Sequence, residues 1–292
     1  MTAKMPEIPK PTAAPPSALP PPKSNGNGHS PAAVEILTSA PVAKRPRIIF
    51  NATEGFGKST TGAYTPKPII LMARGETGYE TLQSSGLAPL VPRAHIDNWP
   101  ALLATIPALT EYETIVLDAM GGFERLCHEH VCTRDFQGEW GDKGFGSYQK
   151  GYDISITEWL KLLVAMDKLH ENNVAVLFLS HCRIKPFRNP MGADFDRYVA
   201  DCHEKTWAVT HKWADAVLFG NFHSTIITDQ NKKAEQLRKG KGVGGAQRVV
   251  YTERRDAFDA KNRYGMPVEI DLPADPSLSW ATIAQYFNKK GA

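Results

Sequence analysis

Several things are scarce in this sequence. Cysteine occurs only four times in 292 residues, at 127, 132, 182 and 202, too few and too scattered for a disulfide framework, so reduced thiols are expected. No apolar run approaches the ~20 residues that cross a bilayer, and the N-terminus lacks a charged-then-apolar signal layout. A cytoplasmic protein is therefore expected. Net charge is small at +3, and no internal repeat is visible. One sign of charge dominates only locally: residues 231–263 hold ten Lys/Arg against four Asp/Glu, a net of +6. Such a stretch suits nucleic acid, or is simply a solvated face. "CHEHVC" at 127–132 combines Cys and His, but a helix would spread those side chains around its axis, and no second half-site follows.

What is present divides the chain. Eleven of the 22 prolines fall within residues 1–46, a composition that cannot bury enough apolar surface to offset chain entropy. Residues 1–46 read as a disordered Pro/Ala-rich arm and 47–292 as one domain. Its 42% hydrophobic content is ample for a core. Short β-branched runs, "RIIF" 47–50, "PIILMA" 68–73, "TIVLD" 114–118 and "VAVLFLS" 174–180, are apolar on both faces, as in parallel strands covered by helices. Helical spacing lies between them at 99–106, 122–131 and 154–172, the last with an apolar stripe through Ile156, Leu160, Leu163, Met166 and Leu169. The pattern predicts an α/β fold with a mainly parallel central sheet flanked by helices. Antiparallel C-terminal strands are expected beyond Asp215, joined by a Gly- and Lys-rich loop at 238–247.

"NATEGFGKST", 51–60, follows the first strand and precedes a helix. It is a phosphate-binding loop except that Ala52 stands where the pattern G-x-x-x-x-G-K-[ST] has its first glycine. A small residue is tolerable there if its φ is negative. Gly55, Phe56 and Gly57 form the curl, Lys58 can reach the β- and γ-phosphates, Ser59 can hold Mg2+, and Thr60 can contact the α-phosphate. The cofactor set is thus ATP and Mg2+. Asp118, at the tip of "TIVLD", is placed as a second Mg2+ group, or caps the turn that follows. Glu76, just after the second strand, can polarise water or be a surface acid. His181, ending "VAVLFLSH", can sense the γ-phosphate.

P-loop, acid after strand two, acid at a strand tip and polar strand end, in this order, resemble the core of RecA-like ATPases. "AKNRYGMP" at 260–267 is similar to the Lys-Asn-Lys stretch of RecA recombinases, whose cations reach a neighbour's ATP. The resemblance makes Lys261 and Arg263 candidate trans-acting cations. With "GFGKST", "DKGFGSYQKGY" 142–152, "LSH" and "ADAVLFG" 214–220, residues 47–270 resemble compact phage ATP-binding proteins of AAA type, including RecA-like single-strand annealing ATPases of the Sak type.

That resemblance implies a DNA-stimulated ATPase that binds single-stranded DNA, promotes annealing or recombination, assembles as a ring or filament, works with a single-strand DNA-binding protein, and resides in a bacterial host's cytoplasm. Two basic segments suit single strands. "CRIKPFRNPMGADFDRY" 182–198 offers Arg183, Lys185, Phe187, Arg188 and Arg197. "LRKGKGVGGAQR" 237–248 offers Arg238, Lys239, Lys241 and Arg248. Either can instead be a plain mobile loop. The other reading of the whole is an ATP-switched module that recruits replication or packaging partners and hydrolyses little. A small-molecule kinase lacks a lid-like Arg cluster.

Overall fold

The computed structural model describes residues 42–227 and 241–287. In chain order the elements are β1 (Arg47–Ala52), α1 (Lys58–Ala63), β2 (Pro68–Ala73), α2 (Gly78–Ser84), β3 (Arg93–Ile96), α3 (Trp99–Thr105), β4 (Thr114–Asp118), α4 (Met120–Phe136), α5 (Lys150–Glu171), β5 (Ala175–Phe187) and β6 (Phe195–Ala200). There follow α6 (Glu204–Trp213), β7 (Ala216–Ile227), β8 (Lys241–Tyr251), β9 (Lys261–Asn262), β10 (Glu269–Leu272) and α7 (Ser279–Ala284).

The main sheet runs β10-β8-β7-β1-β5-β4-β2-β3. It is parallel from β7 to β3 and antiparallel at β8 and β10. Successive strand residues point to opposite faces, and both faces here are covered. Ile49, Leu71, Leu117 and Phe178 enter the core on the side of α3, α4 and α5. Ile48, Phe50, Ile70, Val116 and Leu179 enter the other, where Trp280 and Ile283 of α7 also sit. This explains why the strands read as unbroken apolar runs. The fold is an α/β core with a mainly parallel central sheet flanked by helices and antiparallel strands toward the C-terminus, as expected, and among the described residues no helix is long and apolar enough to cross a membrane.

Three details depart from the sequence reading. β7 is not simply antiparallel: Ala52 and its predecessors pair with it in parallel through Gly220, and only its other edge runs antiparallel to β8. Residues 182–198 are not one loop: β5 continues past His181 to Phe187 and pairs with β6 as a hairpin arm, with only 188–194 connecting the two strands. The α5 stripe is rotated, with Trp159, Leu162, Leu163, Met166 and Leu169 buried while Leu160 is 43% exposed. Trp159 takes the inner position because its ring stacks on Trp99 at 5.7 Å and its Nε1–H donates to Thr210 Oγ1 at 2.8 Å.

Trp159→Ala should therefore destabilise the protein by about 3–5 kcal/mol. Leu160→Ala should stay within about 0.5 kcal/mol. Urea unfolding of the two variants separates the observed stripe from the predicted one.

Candidate nucleotide-binding site

Because the sheet is parallel from β7 to β3, the carboxyl ends of those strands gather at one rim. β5 lies between β1 and β4, so the loop after β1, His181 of β5, Asp118 of β4 and the turn after β2 face a common space. This is the crevice where open α/β sheets bind ligands.

β1 ends on Ala52, in register with His181 on one side and Gly220 on the other. Ala52 is extended strand, fully buried, so the missing glycine is no obstacle. Its methyl group fits because the neighbour has none: a Cβ on Gly220 would come within 2.9 Å of the Ala52 Cβ and 2.6 Å of the Phe56 ring. Beyond Ala52 the chain curls through Gly55 and Gly57 at φ of 70° and 98°, the left-handed region that glycine enters freely. Among the described residues nothing accepts the backbone N–H groups of Glu54, Gly55, Phe56 or Gly57. Such a run of free donors at a helix start is an anion site.

The side chains complete it. Lys58 is buried, and its Nζ donates to the carbonyls of Ala52 at 2.9 Å and Thr53 at 3.1 Å, leaving one of its three N–H donors for a phosphate oxygen. Burial lowers its pKa, while Cys182, Asp118 and the acids Glu54 and Glu76 act against that. Ser59 Oγ donates to Asp118 Oδ2 at 2.7 Å, which puts two hard oxygen ligands side by side, the donor set of a Mg2+ site. Burial raises the Asp118 pKa. Glu76 is half-buried and raised as well, chiefly by burial and then by Asp118, with His181 and Lys58 opposing. The four groups are thus within electrostatic reach of one another.

A cavity of about 560 Å³ runs from His181 along residues 54–60 to Tyr64, Leu82, Leu87 and the turn Asp275–Ser277. Tyr64 lies one helical turn beyond Thr60, and Leu87 is an exposed apolar residue at the close of α2; the sequence reading missed both. Nothing local to the sequence marks 275–277, which arrives from the far end of the chain. A family model described as an AAA domain matches residues 44–264. The chain belongs to the AAA domain family. No curated protein matches it. Similar solved structures include a KaiC-like protein from the archaeon Pyrococcus horikoshii OT3, 10% identical over 80% of this chain and 88% of that one, at a TM-score of 0.40. Another is the flagellar accessory protein FlaH from Methanocaldococcus jannaschii, 10% identical over 82% and 89%, at 0.43.

The loop of this AAA ATPase domain thus gathers Gly55, Phe56, Gly57, Lys58, Ser59, Thr60, Glu76, Asp118 and His181 at one place. Other expected residues lie elsewhere. Lys261 is engaged: its Nζ donates to the carbonyls of His211, Lys212 and Ala214 at 2.9, 3.0 and 2.6 Å, capping the end of α6, so it is not available as a trans cation. Arg263 is half-exposed and donates to Asp215 at 3.2 Å, beside Arg47 at the opposite end of β1 from the loop.

Arg248 is no nucleic-acid contact, being 5% exposed beneath the loop. Arg197 is tied to Asp259 at 2.6 Å and lies over the Phe187 ring at 5.5 Å. Arg183, Lys185 and Arg188 are exposed on the hairpin arm, with Phe187 partly covered among them. Arg238, Lys239 and the side chain of Lys241 lie outside the described residues. In α4, Cys127 is buried and its thiol is pushed well up by burial, and among the described residues no three His, Cys, Asp or Glu converge on a metal.

Lys58→Ala should abolish measurable ATP binding by calorimetry, whereas Ala52→Gly should leave it within about threefold, the burial and strand geometry being unchanged. Glu76→Gln should still bind ATP while kcat drops by about 10²–10⁴. A base works only when ionised, and the Glu76 pKa is raised, so wild-type kcat should fall with decreasing pH from a point above the usual carboxylate value of 4.5; Glu76→Gln should lack that limb. Lys261→Met should destabilise the fold by about 1–3 kcal/mol with the carbonyls left unpaired, yet change ATP turnover per folded molecule little.

Proposed function

We propose that this AAA ATPase domain is an ATP-dependent single-stranded-DNA-binding protein that promotes strand annealing or homologous recombination in phage DNA metabolism. Hydrolysis in this reading is Mg2+-dependent and DNA-stimulated. Bound at Ser59 and Asp118, Mg2+ would neutralise charge on the β- and γ-phosphate oxygens. The chain's own groups do the rest: the free N–H groups of the loop and Lys58 hold the phosphates, Glu76 orients water and takes its proton, and His181 meets the γ end of the cavity.

The observation that carries the DNA reading is that β5 is one continuous strand from the cavity to the basic arm. His181 faces the nucleotide cavity, and six residues later Phe187 ends the same strand. The returning chain is fastened to the sensor, since Asp201 N–H donates to the His181 carbonyl at 2.8 Å. A groove of about 620 Å³ beside the arm is lined by Arg183, Lys185, Arg188, Phe187 and Trp207 among others, which supplies cations for phosphates and rings for base stacking. A change at His181 would thus be felt directly by the arm. Assembly as a homo-oligomer, with Arg263 as the remaining cation for a neighbour's nucleotide, and cooperation with a single-strand DNA-binding protein complete the proposal.

Fluorescence anisotropy with a labelled oligothymidylate tests it. Binding should be tighter with ATP than without and weaken as salt rises, and the triple variant R183A/K185A/R188A should lose about tenfold or more with a shallower salt slope. Binding that ignores both nucleotide and the arm variant contradicts the proposal and leaves an ATP-switched partner module.

A further inference from the structure

Beneath the phosphate loop lies a buried cation that no carboxylate among the described residues pairs with. The side chain of Arg248, from β8, is 5% exposed. One Nη donates to the Phe56 carbonyl at 3.1 Å and to Ser279 Oγ at 3.2 Å. The other donates to the Pro273 carbonyl and, at 3.5 Å, to that of Ala274. Its guanidinium stands 5.7 Å from the centre of the Phe56 ring. Among the described residues all of its partners are neutral. A buried guanidinium is ordinarily paired with an acid, because neutral oxygens alone compensate poorly for lost hydration. Burial duly lowers its pKa, with only Asp275 acting the other way.

The geometry says which anion completes the arrangement. A trans peptide carries its C=O and N–H on opposite sides, so a Phe56 carbonyl held toward Arg248 turns the Gly57 N–H away from it. Arg248 is not among the residues lining the cavity, and it sits close behind the loop: a Cβ on Gly57 would lie 3.2 Å from its Nη1 and 3.6 Å from the Pro276 Cβ. The same guanidinium therefore aims a backbone donor into the cavity and fixes the turn that forms the cavity's far wall.

We propose that Arg248 is a positioning residue of the nucleotide site, a fixed charge behind the loop that orients the Phe56–Gly57 peptide toward the phosphates, pins the 273–279 turn as a wall of the cavity, and has the bound polyphosphate as its counter-ion. The inference rests on the ATP reading of the loop. It also joins β8 to the nucleotide, so the hairpin formed by β7 and β8 shares a residue with the site.

The test measures affinity for tripolyphosphate and for ATP, together with kcat and KM, in the full chain. Arg248→Gln, where it gives a cooperatively melting protein, should weaken tripolyphosphate and ATP alike by tenfold or more and raise KM by as much, while kcat changes less than threefold. Arg248→Lys, which retains the charge, should recover part of the affinity. Ser279→Ala removes one acceptor and is the milder variant where Arg248→Gln does not fold; it should weaken tripolyphosphate by two- to fivefold. Wild-type affinity for tripolyphosphate in folded Arg248→Gln, or in Ser279→Ala if Arg248→Gln fails to fold, overturns the inference while Lys58→Ala still loses ATP. Wild-type protein that binds no ATP overturns the site reading and this inference with it.

Discussion

Among the described residues nothing accepts the backbone N–H groups of Glu54 to Gly57, and the rest of the site is arranged around that constraint. Four free donors in a row are tolerable only where they meet water or an anion. The two left-handed glycines bend the loop into that shape, Lys58 ties its inner edge by bonding Ala52 and Thr53, and Arg248 ties its underside through the Phe56 carbonyl. With two cations fastened to it, the loop is preorganised for negative charge.

The sheet supplies the second constraint. Placing β5 between β1 and β4 brings His181 into register with Ala52 and leaves Asp118 one strand further, where it receives the Ser59 hydroxyl. Glu76 then completes the group from the turn after β2. Carboxylates crowded in a half-buried rim hold their protons more tightly, which is the state required of a group that takes a proton from water near neutral pH. The strand that brings His181 to the cavity is the one that runs on into the basic arm.

Much of this was legible in the sequence for physical reasons. The parallel strands are apolar on both faces because helices cover both, and the loop announces itself through Gly55, Gly57, Lys58 and Ser59. Asp118 and Glu76 were visible as acids at strand ends. Long-range partners were not visible. Arg248 and Lys261 look like any basic residue in a +6 stretch, but one is buried under Phe56 and the other caps α6, and only the tertiary fold shows which carbonyls await them. Residues 182–198 read as a loop because a hairpin arm with few buried side chains has no strong apolar alternation. The rotation of the α5 stripe turned on a single bulky residue, Trp159, outbidding Leu160 for the core.

Steady-state phosphate release by the purified protein, with and without single-stranded DNA at rising salt, tests whether the phosphate cradle is wired through β5 to the basic arm. A Lys58-dependent rate that DNA raises, with a stimulation that fades as salt increases, is the expected result. A Lys58-dependent rate indifferent to DNA at every salt concentration would contradict the link between cradle and arm, and no phosphate release under any condition would contradict the catalytic reading itself.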